Sequence, residues 1–203
     1  MHQTLVQIVD SAVADAYRRG GPHLACRPGC SQCCIGVFPI ALEDAARLRE
    51  GLLALDPADS SKAARIRQRV AHSLARLAPW FPGDPATGIL NEDHEAAILF
   101  EEFANDEPCP VLDPVTGTCD LYRHRPILCR TFGPPMRTPG DDGEVNLATC
   151  ELCFIQASTE EIPPANSTLP CPPGSNRATK PSTPHRAFAA RPSSPTPCAA
   201  RER

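Results

Sequence analysis

Leu5, Ile8, Val9, Ala12, Val13 and Ala16 recur at three- and four-residue intervals, and Gly20-Gly21 close the run. That spacing is one face of an amphipathic helix with a glycine stop. A second helix fits residues 41–57: Leu48, Leu52 and Leu55 share a side, Pro57 ends it, and Glu43 and Asp44 stand where the helix dipole favours acids. Residues 60–81 give a third, with Ile66, Val70, Leu74 and Leu77 as its stripe. Gly83, Pro85 and Gly88 mark a loop. Residues 91–105 then give a fourth helix, with Asn91 as N-cap and Ile98, Leu99 and Phe103 turned inward.

Beyond residue 108 the period changes. Two short β-prone runs flank Asp113-Pro114-Val115-Thr116-Gly117, which predicts a hairpin that brings Cys109 and Cys119 together. Pro126 opens a short helical turn that presents Cys129, and a weak strand over 144–148 leads into Cys150-x2-Cys153. From about Ser158 no apolar period survives and Pro, Ser and Thr dominate, so residues 158–203 read as a disordered tail. Cys171 and Cys198 lie in that tail and are left out of any site. The expected fold is mainly α with a short β-hairpin: a small cysteine-rich, metal-centred domain over 1–157, gathered around one cysteine-lined centre.

Composition narrows the function. Aromatic residues make up only 5% of 203 and prolines number 24, so part of the chain contributes little to packing. From Pro163 onward the chain carries six Lys/Arg against one acid, net +5, which leaves −9 on the rest of a chain whose formal charge is −4. An acidic body argues against nucleic acid as a partner. Asp10 and Asp15 interrupt what would be the apolar core of a signal peptide. The apolar run over 35–42 is far short of the ~20 residues that cross a bilayer, so neither secretion nor a membrane is expected. The expected compartment is the cytoplasm, where thiols stay reduced and eleven cysteines read as metal ligands or catalytic groups before disulfides.

Four of these thiols fall within nine residues, Cys26, Cys30, Cys33 and Cys34, and Pro28-Gly29 supplies a turn that lets them converge. Cys109, Cys119 and Cys129 can complete the ligand set. A structural zinc takes four N or S ligands, and an iron–sulfur cluster takes thiolates from a loop with at least one remote cysteine. Neighbouring side chains diverge by about 100° on a helix, so one of Cys33 and Cys34 is expected to serve a different atom or to be buried. Cys150 and Cys153 form a ligand pair by spacing and could belong to a second site. A single cysteine in any of these places could be a small buried hydrophobe; seven in two blocks point to a metal.

The block Cys26–Cys34, followed by Cys109 and by Cys119, Tyr122, Arg125, Pro126, Cys129 and Arg130 in a C-x2-Y-x2-R-P-x2-C-R pattern, resembles the CxxCxxCC family of zinc- or iron-chelating proteins, also called YkgJ-type cysteine cluster proteins. The resemblance covers roughly residues 20–155. The first gap here is C-x3-C, one residue longer than the family's name. The resemblance implies metal chelation, with zinc or an iron–sulfur cluster as cofactor and a structural, storage or electron-transfer role. A related cysteine cluster is associated with flagellin lysine methylation, which makes a metal-dependent protein methyltransferase the alternative. No Gly-rich loop after a strand suggests a nucleotide-type cosubstrate.

Seven thiols exceed the four of one zinc, which favours iron–sulfur, whereas Cys150 and Cys153 would bring the count to two tetrahedral zinc sites. Arg27, Arg123, Arg125 and Arg130 lie beside cysteines and either offset the charge of a thiolate centre or pair with carboxylates. Tyr122 reads as core, and His124 as either a ligand or a solvated neighbour of two arginines. Within the cluster, Cys30, Cys33, Cys119 and Cys129 are the expected main ligands. A chain ending at residue 157 should keep the metal content and melting temperature of the full chain, measured side by side.

Overall fold

In a computed structural model, residues 2–139 and 145–157 are described; the tail, with Cys171 and Cys198, lies outside them. The described residues contain five α-helices: α1 His2–Gly20, α2 Leu42–Ala58, α3 Ser60–Leu77, α4 His94–Glu101 and α5 Ile127–Thr131. Two small antiparallel pairs join them, β1 Gly83–Asp84 with β2 Ile89–Leu90, and β3 Met136–Pro139 with β4 Val145–Ala148. The protein is thus mainly helical with short hairpins. It divides into two compact units, one made of residues 1–26 with those from Arg130 onward, the other of residues 27–129.

In the first unit α1 buries Val6, Val9 and Ala16, while Ile8 is exposed. The buried row is therefore turned slightly from the one expected, with Val6 in place of Ile8. At the helix end a side chain on Gly20 would collide with Leu24 and approach the Phe154 ring. Buried Arg130 donates from Nη1 to both carboxylate oxygens of Asp10 at 2.7 Å, tying the later segment back to α1. The next residues, Pro134 and Pro135, are fully buried, and β3 follows in register Met136↔Ala148 to Pro139↔Val145. Sequence reading anticipates β4 but not β3. A proline within a run argues against a central strand and is tolerated in a two-stranded pair, where each strand is an edge.

The second unit is built on α2 and α3, which pack together. The only residue between them, Asp59, caps α3 by accepting from Lys62 N at 2.9 Å. Pro57 lies in the last turn of α2, which ends one residue later at Ala58, close to the end that the sequence predicts. The buried residues of α3 are Ala63, Ile66 and Ser73, whereas Leu74 is exposed. After α3 the 3-10 turn Ala78–Trp80 leaves Trp80 79% exposed. In α4 the cap is Asp93, not Asn91, accepting from Ala96 N at 2.8 Å. Ala96 is the buried residue there. Ile98 and Leu99 are exposed, and Phe103 meets Phe81 and Phe100, each with ring centroids 5.8 Å away. No helix among the described residues is long and apolar enough to cross a membrane.

On α2 the packed face is marked by Asp44 and Gly51. A Cβ at Gly51 would lie 2.5 Å from Cγ and 2.8 Å from Cβ of His124, so the imidazole sits where a side chain would be. In an open helix Gly→Ala stabilises by up to about 1 kcal/mol. Here the inserted methyl meets the base of a packed side chain, an overpacking worth about 1–3 kcal/mol. Gly51→Ala should therefore lower the melting temperature by roughly 5 °C, read by circular dichroism.

Candidate metal centre

In residues 27–129 the chain brings its thiols together through backbone pairing. Cys30 N donates to Arg27 O at 2.9 Å across the Pro28-Gly29 turn, and a 3-10 turn over Gln32–Cys34 carries the adjacent pair. The chain then runs against residues 104–109: Gly36 N donates to Glu107 O at 2.6 Å and Cys109 N to Cys34 O at 2.7 Å. Cys109 and Cys119 are the two arms of a hairpin-like loop. It is closed by a single bridge, Leu112↔Cys119, and by Asp120 N donating to Val111 O at 2.8 Å. The tip of this loop meets the turn near Cys30. Gly117, at φ +65°, has its Cβ position 2.9 Å from the carbonyl oxygen of Gly29, itself at φ +92°. Cys129 is presented by α5, whose first N–H, that of Ile127, donates to buried Asp44 Oδ2 at 3.1 Å.

These thiols act on one another. A side-chain hydrogen bond with Cys34 holds the Cys33 thiol below its ordinary range, with Arg125 adding to the effect. Cys34 is pushed far up by that same bond, by burial and by Cys33, Cys109 and Cys119. Burial, and then Cys109, Cys33 and Cys119, push Cys129 up to about 12. Cys109 and Cys119 are raised chiefly by burial. Cys30 is half-buried at the turn.

A second group stands in the other unit. Cys153 is buried, its Sγ accepts from Ala25 N at 3.4 Å, and its thiol is raised by burial first and then by Cys26 and Cys150. Within the unit of residues 1–26 and 130 onward, Cys153 thus stands with Cys26 and Cys150, and within residues 27–129 the thiols that act on one another are Cys33, Cys34, Cys109, Cys119 and Cys129.

Buried thiols whose ionisations oppose one another form a donor set suited to a soft cation, since a bound metal takes the thiolate form and removes the repulsion. Among the described residues no group of three or more His, Cys, Asp or Glu side chains is placed to hold a metal ion. A metal that took these thiols would displace their protons.

The CxxCxxCC family, "Putative zinc- or iron-chelating domain", matches residues 25–153. The chain belongs to the CxxCxxCC family. No curated protein and no solved structure matches it. The CxxCxxCC match begins just before Cys26 and ends on Cys153, so it takes in both groups of thiols.

The residues around the CxxCxxCC thiols divide by role. Arg125 lies near Cys33, Cys119 and Cys129, where its charge favours thiolate, and its guanidinium carbon is 3.8 Å from the centre of the Tyr122 ring. Tyr122 is 59% exposed under that stack, not core as its aromatic character suggested. Arg130 serves the Asp10 pair. His124 packs on Gly51.

Sequence reading missed the polar residues that hold the hairpin. Arg69 of α3 donates through Nε to Pro110 O and through Nη2 to Asp120 Oδ2, both at 2.7 Å. Pro110 and Asp120 each follow a hairpin cysteine, so one guanidinium spans both arms. Arg76 pairs with both carboxylate oxygens of Glu107, at 2.6 and 2.7 Å, and Ser73 Oγ donates to the same group at 2.5 Å. The available signal was an arginine beside the buried stripe of α3. Arg69→Met should destabilise the protein by about 2 kcal/mol in urea unfolding, below the usual 3–5 for a fully buried pair because Arg69 is partly exposed and Lys62 stays 3.6 Å from Asp120. Metal affinity should fall with it.

Proposed function

We propose that residues 27–129 hold an iron–sulfur cluster on Cys33, Cys109, Cys119 and Cys129, in a protein with a structural or electron-transfer role. The observation that carries this is the set of five mutually interacting thiols, Cys33, Cys34, Cys109, Cys119 and Cys129. A cluster and a single zinc each take four such ligands. In the iron reading the fifth, Cys34, stays protonated and hydrogen-bonded to the Cys33 sulfur. Hydrogen bonds to ligand sulfurs and nearby charge tune a cluster's potential, so Cys34 and Arg125 are its tuning groups. Cys109 takes the fourth place that sequence reading gave to Cys30, because Cys109 acts on Cys34 and Cys129 and is hydrogen-bonded through its backbone to Cys34. A bound cluster supplies one-electron chemistry, and the chain contributes ligation, burial and charge.

Anaerobically purified protein should be brown, with broad absorbance that bleaches on reduction and with sulfide in stoichiometry with iron. Cys129→Ser should lose iron and sulfide together, whereas Cys34→Ala should keep both and shift the reduction potential downward. A colourless protein carrying zinc on these cysteines would replace this reading with structural zinc.

A further inference from the structure

We propose that the outer face of α4, built on Glu95, Ile98, Leu99 and Glu102, docks a protein partner whose surface sets apolar side chains among Lys and Arg. The inference uses no cysteine and stands whichever metal the thiols hold.

The helix is covered on one side only. Ala96 is buried, Phe100 is half-buried, and Phe103, just past the helix end, packs on Phe81 and Phe100, so positions 96, 100 and 103 form the inward row. Positions 95, 98, 99 and 102 recur at three- and four-residue spacing on the opposite side. There Ile98 is 52% and Leu99 56% exposed, and Glu95 and Glu102 flank them, exposed as well. One exposed apolar residue needs no explanation, but these two are adjacent, and exposed Trp80 and Ile89 stand on the neighbouring segments. Those segments are tied to α4: Phe81 meets Phe103, and Asn91 N donates to Pro82 O at 3.2 Å. Apolar surface of this kind, rimmed by charge, marks an interaction site.

Charge selects what can cover it. Residues 77–122 hold ten Asp or Glu and no Lys or Arg. Several of these acids are engaged within the fold: Glu107 meets Arg76, Asp120 meets Arg69, Asp93 caps α4, and Asp84 and Asp113 close their own turns. The carboxylates of Glu95, Glu101, Glu102 and Asp106 are exposed and form no ion pair among the described residues. A second copy of this chain would set those acids against one another, and nucleic acid or an anionic membrane would be repelled by them. A cationic surface with apolar side chains of its own meets both demands, since it buries Ile98 and Leu99 and pairs the acids around them. The face also adjoins the thiol-bearing chain. Val37 N donates to Ala104 O at 3.3 Å just past α4, so a docked partner contacts the segment that runs on to Cys109.

The test uses the full chain and a labelled synthetic helix that carries leucines along one side and lysines beside them, with binding read by fluorescence anisotropy. This helix should bind more weakly as salt rises. Analogues with glutamate for lysine, or serine for leucine, should bind at least about tenfold more weakly. Ile98→Ser with Leu99→Ser should lower affinity by about tenfold or more, and Glu95→Gln, Glu101→Gln and Glu102→Gln together by a similar factor with a flatter salt dependence. All five side chains are exposed, and if one variant does not fold the other decides. Leu53→Ser, an exposed leucine of α2, is the control and should change nothing. Unchanged affinity in a folded α4 variant, or an equal loss in the control, overturns the docking face. Two other occupants have signatures of their own, and either one overturns the outside partner. A dimer that Ile98→Ser with Leu99→Ser dissolves gives the face to a second copy. Tighter binding after Arg177, Lys180, Arg186, Arg191, Arg201 and Arg203 are all changed to Gln gives it to the chain's own basic residues.

Discussion

A carboxylate shut away from water must be paired or hydrogen-bonded, and residues 27–129 use that requirement to hold their cysteine-bearing segments in place. Asp44 is buried on α2 and accepts from the backbone at the start of α5, two residues before Cys129. Glu107 is buried two residues before Cys109 and meets Arg76 and Ser73 of α3. Asp120 follows Cys119 directly and meets Arg69, also of α3. Each acid thus joins a helix of the scaffold to a segment that carries a thiol. Polar ties matter here because the apolar core is thin: among the described residues the largest almost completely buried side chains are Ile66, Val9, Pro134 and Pro135. Breaking a buried pair leaves a charge with no compensation, so these ties are specific to one arrangement in a way that apolar contact is not.

The scaffold gathers groups that resist being gathered. Burial raises the thiols of Cys109, Cys119 and Cys129, and their mutual influence raises Cys129 further. Without a cation the group rests mostly protonated. The chain fixes the segments through backbone and carboxylate bonds.

The sequence disclosed the helices, because a 3.6-residue period survives in the positions of Leu, Ile and Val, and it disclosed the cysteine blocks by spacing alone. It placed the inward sides of α1, α2 and α3 nearly right, with Val9, Ala16 and Ile66 buried and Leu48, Leu52 and Leu55 half-buried, but it passed over several of the most buried positions. The faces of α2, α3 and α4 close over Gly51, Ala63, Ser73 and Ala96, small residues that a search for large apolar side chains passes over. Asp44 looked like a dipole residue because a first-turn acid has that ordinary explanation; its bond to Ile127 spans 83 residues and leaves no local trace. The division of the thiols was hidden for the same reason. Cys26 is beside Cys30 in sequence, and only the return of the chain from Arg130 onward brings Cys150 and Cys153 to it.

The exposure of Trp80 has a consequence for how this molecule can be observed. It is the chain's single tryptophan and stands 79% exposed on the turn after α3, so its indole is already solvated in the folded state. Its emission therefore changes little on unfolding and gives almost no signal of folding. With only two tyrosines besides, the near-ultraviolet background is low. Sulfur-to-iron charge transfer would then fall on a nearly empty spectrum, so an iron centre on these cysteines would serve as the chain's own optical reporter.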